Sequence, residues 1–139
     1  MLDLILRGHT VEHFECSMTP EIASISDDSD ITMSFECRSG SLSDQHHAIL
    51  RVELIIKATN PGQKEAFAQA NAVFHIAFES LASASNDDLI NAVQSSGIQL
   101  AMPLIRAIIV GATNMLGFPD VFSFPSVDYS KIEWNNEAP

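Results

Sequence analysis

Basic residues are scarce in this sequence. Among its 139 residues, seven Lys and Arg stand against 18 Asp and Glu, which gives a net charge of −11. Phosphate binding needs clustered Lys and Arg, and the sequence has no such cluster, so we do not expect a nucleic-acid ligand. The acidic surface either attracts a basic partner or only keeps an apolar protein in solution, and the composition does not separate these two roles.

Two further absences concern the membrane. The N-terminal residues lack a basic region followed by a long apolar stretch, so they do not predict a signal peptide. The most apolar stretch is interrupted by Pro103 and Arg106 and falls short of the roughly 18 uninterrupted apolar residues of a membrane span. We therefore expect a cytoplasmic protein without membrane insertion, in which the two cysteines, Cys16 and Cys37, are reduced.

Motifs for catalysis and metal binding are also missing. The sequence has no glycine-rich phosphate loop, nucleophile elbow, paired-carboxylate motif or CxxC pair. His9 and His13 would lie roughly 13 Å apart on one strand face, given the rise of a β-strand. We place Cys16 and Cys37 on neighbouring strands, where buried thiols are a more common arrangement than zinc ligands. We predict a binding protein rather than an enzyme, with no metal and no cofactor.

What the sequence does contain is the composition of one folded domain, residues 1–139, with 46% hydrophobic residues. Apolar and polar residues alternate clearly in residues 31–38 and in residues 48–58, which predicts two half-buried strands. Residues 4–16 form another predicted strand, with a bulge at Gly8, or two short strands that are broken at Gly8. In the second clear alternation, one face carries Leu50, Val52, Leu54 and Ile56.

Residues 66–79 fit two structures. Their alanines and phenylalanines suit a helix, whereas their alternation suits a strand. We favour the strand, because the strand that ends at the Asn60-Pro61-Gly62 turn needs a partner.

Helices are predicted after the strands. Ser85 is a candidate N-cap of a short helix that ends near Ser96, and Gly97 would relax it before the main helix begins. The main helix covers residues 100–116 and is apolar on nearly every side, which fits a helix covered on more than one face. Its single charge, Arg106, is predicted to be buried and structural. Residues 127–134 leave room for two further helical turns.

The order of these elements predicts an α+β fold. Strands come first and helices follow, which is typical of a four-stranded antiparallel sheet with helices packed on one face.

Short motifs along the chain resemble those of the SecB-type protein-export chaperones. Pro103-Leu104-Ile105-Arg106 resembles the family's FPYAR helix, and the segment that begins at Gly117-Phe118-Pro119 and ends at Pro125-Ser126-Val127-Asp128-Tyr129 resembles its GxFPxLxLxPVNF loop. In the first half of the chain, Phe14-Glu15, Leu50-Arg51-Val52 and Val73-Phe74-His75-Ile76 are similar to family motifs in strands one, three and four.

The resemblance implies a function and an assembly. SecB-type chaperones are homotetramers, built as dimers of dimers, which hold unfolded or precursor polypeptides in apolar grooves without ATP. They deliver these clients to the translocase motor SecA or, in other branches, guard the antitoxin of a toxin–antitoxin system. Glu15 matches an acidic contact of the motor, but the matching position in strand four falls in Ala68-Gln69-Ala70, which has no acid, and the closing helix is shorter.

The candidate client-binding residues are apolar residues in two segments. Each aromatic residue after Gly117 either fills the core or lines a groove, and Phe122 and Trp134 are the ones we expect to be exposed. The three apolar residues between Met18 and Ile25 either form the opposite wall or anchor their loop. The full set is Met18, Ile22, Ile25, Phe118, Val121, Phe122, Phe124, Tyr129, Ile132 and Trp134.

Overall fold

A computed structural model describes residues 2–18, 30–42, 44–62, 64–115 and 129–135. Four long antiparallel strands form most of one sheet, and a short fifth strand lies parallel to its neighbour, so the sheet is mixed. The spatial order is β1-β4-β3-β2-β5. The strands are β1 (Leu4–Met18), β2 (Asp30–Ser41), β3 (His47–Thr59), β4 (Ala68–Ser80) and β5 (Glu133–Trp134).

The alternating residues of β3 and β4 meet in register. Leu50 lies opposite Ile76 and Val52 lies opposite Phe74, and these side chains are at most 1% exposed. Cross-strand pairs of branched and aromatic side chains are the unit that stabilises a sheet. The strand prediction for residues 66–79 is therefore confirmed, because the alternation outweighs the helix propensity of the alanines.

β1 contains two irregularities. Its pairing with β4 shifts between Leu6 and Gly8 and again between Val11 and His13. The first shift confirms the bulge predicted at Gly8. Between the two shifts, the Val11 side chain is 39% exposed.

The two cysteines do not lie on neighbouring strands, and this prediction was wrong. Cys16 is in β1 and Cys37 is in β2, and both β4 and β3 lie between these strands. The order of strands along the chain differs from their order in the sheet, because β4 inserts beside β1.

One continuous helical stretch of 30 residues follows the strands, Asn86–Met115. It consists of α1 (Asn86–Ala92), a π-helical turn (Val93–Gly97) and α2 (Ile98–Met115). The Ser85 side chain accepts a hydrogen bond from the Asp88 backbone N–H at 3.2 Å, which confirms the predicted N-cap.

Gly97, where the sequence predicts that the short helix relaxes before the main helix, is the last residue of the π-helical turn, and the helical stretch continues through it. A Cβ at Gly97 would lie 3.4 Å from Leu4 Cδ1 and from Phe78 Cζ. The residue lets the helix approach the sheet closely rather than ending the helix.

One side of α2 packs on the sheet, and Ile98, Ile105 and Ile109 on that side are at most 2% exposed. Arg106 points away from the sheet and is exposed, so its predicted burial was wrong. By length and composition the whole helical stretch could also cross a membrane, which is a property that core helices of globular proteins share.

The end of the described chain is extended. A 3₁₀ turn, Tyr129–Lys131, leads into β5, which pairs with β2. The two helical turns predicted for residues 127–134 are therefore wrong for the part that the structure describes. Backbone pairing with β2 and the alternation of Ile132, Glu133 and Trp134 favour a strand here.

Candidate functional site

The C-terminal segment lies against the outer edge of β2. Glu133 pairs with Glu36 and Trp134 pairs with Cys37, and the Asn135 backbone N–H donates to the Cys37 carbonyl oxygen at 2.8 Å. The Ile132 side chain is 8% exposed and joins the core, whereas Glu133 is exposed. Trp134 is half-buried and packs against the same core.

The structure brings some of the predicted client-binding residues together and separates others. Tyr129, 40% exposed, precedes Ile132 and Trp134 in the segment beside β2. Met18 is the last residue of β1 and is paired with Ala68, so β4 and β3 lie between its strand and β2. Six predicted residues lie outside the described part of the chain: Ile22, Ile25, Phe118, Val121, Phe122 and Phe124.

Apolar side chains of the outer strands on the covered face were not singled out as site residues from the sequence. Phe14 on β1 and Ile31 and Met33 on β2 are half-buried and pack against the core. Ile31 and Met33 pair with Ala58 and Ile56 of β3, which are at most 1% exposed, so they lie on the covered face. Their alternation was visible in the sequence, but it could not show that the outer strands are less covered than β3 and β4.

A second apolar surface runs along the side of α2 that faces away from the sheet. Leu100 is 45% exposed and Met115 is 89% exposed, and Ala107 and Gly111 between them are exposed as well. Apart from the adjacent pair Ala107 and Ile108, successive apolar residues along this side are three or four positions apart, so they share one side of the helix. The sequence prediction of a helix covered on more than one face fits this stripe, since a monomer rarely exposes so continuous an apolar surface. We call these residues the α2 stripe; they are Leu100, Leu104, Ala107, Ile108, Gly111 and Met115.

The other face of the sheet carries more polar side chains, and several of its charged groups are paired with one another. The guanidinium of Arg51 lies 3.6 Å from the carboxylate of Glu12 and also contacts Glu53. Glu12 is 3.4 Å from Nε2 of His75, which sits opposite Arg51 on the next strand. Glu12 lies at the second irregularity of β1, and these contacts place its carboxylate near the centre of this face.

Glu15, the candidate contact of a motor protein, is also on this face. Its side chain is 64% exposed and lies 3.3 Å from Nε2 of His13. Farther along the sheet, Arg7 pairs with Glu79. Because these carboxylates have cationic or imidazole neighbours, the described part of this face is not a purely acidic surface.

The two thiols are poorly suited to nucleophilic chemistry. Burial, with a smaller contribution from Glu36, raises the pKa of the Cys37 thiol from 9.0 to about 12. Burial also raises the pKa of Cys16. Both thiols are therefore protonated near neutral pH, and the thiolate is the reactive form. Within the described ranges, no group of three or more His, Cys, Asp or Glu residues is placed to hold a metal ion.

Comparison with known proteins supports the fold. No family model matches the chain, and no curated protein matches it. Among solved structures, it is similar to the Mycobacterium tuberculosis Rv1957 SecB-like chaperone in complex with a ChAD peptide from the Rv1956 HigA1 antitoxin. The TM-score is 0.67 at 14% sequence identity, and the match covers 90% of this chain and 91% of the other. The chain therefore has a SecB-like α+β fold, as its sequence motifs indicated.

Proposed function

We propose that this protein is an ATP-independent holdase chaperone that binds unfolded or non-native polypeptides in apolar grooves. The observation that carries this proposal is the SecB-like fold, shared over 90% of the chain with a chaperone that binds a peptide. In this function, the protein would bind precursor proteins and keep them in a state that can be exported. We place it in the cytoplasm and assign it no enzymatic activity, metal, cofactor or nucleic-acid ligand.

A second candidate function is that of an adaptor dedicated to one partner, for example an antitoxin. The similar mycobacterial chaperone was captured with an antitoxin peptide, and this favours a dedicated role. The neighbours of Glu12 and Glu15 also favour it, because a motor that recognises an acidic face would meet an arginine and two imidazoles there. Recognition of SecA through Glu15 remains part of the export proposal alone.

The proposed client-binding surface combines two sets of residues. The first is the set predicted from the sequence, which runs from Met18 to Ile25 and from Phe118 to Trp134. The second is the set of half-buried apolar residues that the outer strands β1 and β2 place on the covered face, Phe14, Ile31 and Met33. Phenylalanine and methionine make non-directional contacts, which suit clients of differing sequence.

The proposed assembly is a homotetramer arranged as a dimer of dimers. The α2 stripe supports it, because burying such a surface against another copy removes apolar area from water. The outer edge of β1 supports it as well. No strand among the described residues pairs with this edge, which is 15 residues long, and unpaired strand edges of that length tend to be covered.

The test combines mass measurement with client binding. We expect roughly four chain masses by light scattering, with a dimer as the fallback, and suppression of aggregation of several unrelated unfolded proteins without ATP. Binding to one folded or antitoxin-like partner alone would favour the adaptor. A monomer at micromolar concentration that binds no unfolded chain would contradict both the assembly and the holdase function.

A substitution tests the predicted groove wall. Phe122→Ala should leave the oligomer and the melting temperature almost unchanged but weaken client binding in part, because extended clients make several shallow contacts. A folded variant with unchanged client affinity would place the groove elsewhere.

A further inference from the structure

The chain holds one of its own segments as a strand on the edge of the sheet. β5 covers the edge of β2 at Glu36 and Cys37, which are two of the 12 residues of that strand. The bonding is through the backbone, as the contact from the Asn135 N–H to the Cys37 carbonyl illustrates. Backbone pairing of this kind does not depend on the sequence of the added strand.

The side chains of the segment show what this position accepts. Ile132 is buried and Trp134 packs against the core, while Glu133 between them is exposed. An extended segment with two apolar residues separated by one other residue therefore fits this edge. Unfolded polypeptides contain many such segments, since alternation is the pattern of every half-buried strand.

The segment is held weakly by comparison with the other strands. It is two residues long and parallel to β2, and parallel pairing is slightly less stable per residue than antiparallel pairing. The neighbouring β2–β3 ladder, in contrast, pairs 12 residues of each strand. An incoming segment that is longer than β5 could form more backbone bonds along the same edge.

We propose that the β2 edge at Glu36 and Cys37 is a binding site for an extended segment of a client polypeptide, which the chain's own residues 132–135 occupy in the free protein. The inference rests on the proposed chaperone function and specifies one of its client sites. The client replaces the resident segment and pairs with β2 through its backbone, with an apolar residue in each place of Ile132 and Trp134. Client affinity is then set by competition with a tethered segment.

A reversible disulfide tests the competition. Glu36 and Glu133 are paired across β2 and β5, and adjacent strands lie at a spacing that a disulfide can bridge. The double variant Glu36→Cys/Glu133→Cys is made in a Cys16→Ser background, in which the only other thiol is the buried Cys37. The probe is a fluorescent, reduced and carboxymethylated protein that cannot fold.

Oxidation should lower the affinity for this probe about tenfold or more, because the disulfide keeps the resident segment on the β2 edge and leaves no protein with a free edge. Reduction of the disulfide should restore the affinity. The matched control is Thr32→Cys/Lys57→Cys, which links β2 to β3 at two exposed paired residues. Its affinity should change less than about twofold. Equal probe binding by the oxidised and reduced forms of the first variant would overturn the inference.

A second variant gives an independent result. Trp134→Ala weakens the resident segment, so probe affinity should rise a few-fold while the fold is retained. In this inference Trp134 competes with the client, whereas the set predicted from the sequence makes it a wall of the groove. Weaker probe binding would show that Trp134 is such a wall, and would overturn the resident-segment role. A covalent dimer formed by the disulfide variant would also overturn it, because the segment would then belong to a second copy.

The outcomes separate this inference from the proposed function. If no form of the protein binds the probe, the chaperone function itself fails. If all forms bind it equally, the chaperone function stands and only the assignment of the β2 edge is wrong.

Discussion

The two faces of the sheet differ in chemistry although they are built from the same strands. On β4, Phe74 is fully buried under the helix, whereas its neighbour Val73 is half-buried on the opposite face. On β3, Leu54 is 1% exposed and Ile55 is 37% exposed. One face carries the core and the other carries paired charges with a few partly exposed branched side chains.

This difference separates the surface that stabilises the fold from the surfaces that are available to a client. The centre of the covered face is filled by its own helix, so it has no room for a client. The open face is accessible, but its centre is occupied by Arg51 and the carboxylates around it. Apolar clients are therefore expected at the margins of the covered face, where Ile31 and Met33 are half-buried.

The largest effect should come from a direct comparison of the faces on one strand. Phe74→Ala should lower the free energy of unfolding by about 3–5 kcal/mol, because it leaves a cavity in a well-packed core. Val73→Ala, one residue away on the open face, should cost about 1 kcal/mol or less. Urea unfolding followed by circular dichroism measures both, and equal losses would mean that the two faces are not distinguished as described.

The helix offers a second comparison of a covered and an uncovered position. Gly97→Val should cost about 1–3 kcal/mol, since the side chain must be accommodated against Leu4 and Phe78. Gly111→Val is the control for placing a valine in the helix, because nothing within the chain lies within 4 Å of a Cβ built there. Since Gly111 belongs to the α2 stripe, the two variants are compared at the same oligomeric state. Melting temperatures of the two variants should therefore differ, and a normal melting temperature for Gly97→Val would contradict the close approach.

The thiols extend the comparison to chemical reactivity. A pKa near 12 instead of 9.0 lowers the thiolate fraction of Cys37 at pH 8 about a thousandfold. Cys16, half-buried on the edge strand, should therefore react with a maleimide much faster than Cys37. Mass spectrometry of partly labelled protein shows which thiol reacts first, and faster labelling of Cys37 would indicate that β2 and β5 separate readily.

Removing a charge from the open face should have a smaller effect. Arg51→Met breaks contacts with Glu12 and Glu53, which are partly exposed, so the loss should be about 0.2–1 kcal/mol. Added salt should reduce the difference between the variant and the parent, because exposed pairs are screened. A loss as large as that of Phe74→Ala would mean that this network, and not the core, dominates the stability of the sheet.

The smallest effect concerns the turn that joins β2 and β3. Hydrogen bonds from the His46 backbone N–H, followed by the His47 side chain, lower the pKa of Asp44 from 3.8 to about 2. A depressed pKa stabilises the fold above the unfolded value, so this contribution is present above about pH 4 and is lost as the pH falls towards 2. Asp44→Asn should thus lower the melting temperature slightly at pH 7 and hardly at all near pH 2. An equal difference at both pH values would contradict this assignment.

The sequence predicted local alternation better than it predicted neighbours. The faces of β3 and β4 follow from period-two patterns, which depend only on adjacent residues. The position of Cys16 relative to Cys37 depends on where β4 inserts, and no local pattern contains that information. The burial predicted for Arg106 failed for a related reason, because a helix that is apolar on all sides does not show which side meets the sheet.

The candidate site was only partly predictable. Tyr129, Ile132 and Trp134 were identified as candidate client-binding residues, but a helix was predicted for them. Glu133 and Trp134 form a strand here because they pair with the edge of β2. The position of that edge depends on the tertiary structure, which a local sequence pattern does not show. The half-buried state of Ile31 and Met33 likewise depends on how far the helix reaches across the sheet.

Because of the π-helical turn, the side of α2 that faces the sheet depends on the number of residues in that turn. Before the π-helical turn, the buried residues Leu89 and Val93 are four positions apart. Across the turn, the spacing from Val93 to the buried Ile98 is five. In α2 the spacing is four again, as between the buried residues Ile105 and Ile109. The extra residue keeps the buried stripe in phase with the sheet. Deleting one residue between Val93 and Gly97 would restore a regular helix, but it would rotate all of α2 by about 100° relative to α1. A one-residue deletion there would thus exchange the sheet-facing and solvent-facing sides of α2 in part, whereas most point substitutions would leave that phase unchanged.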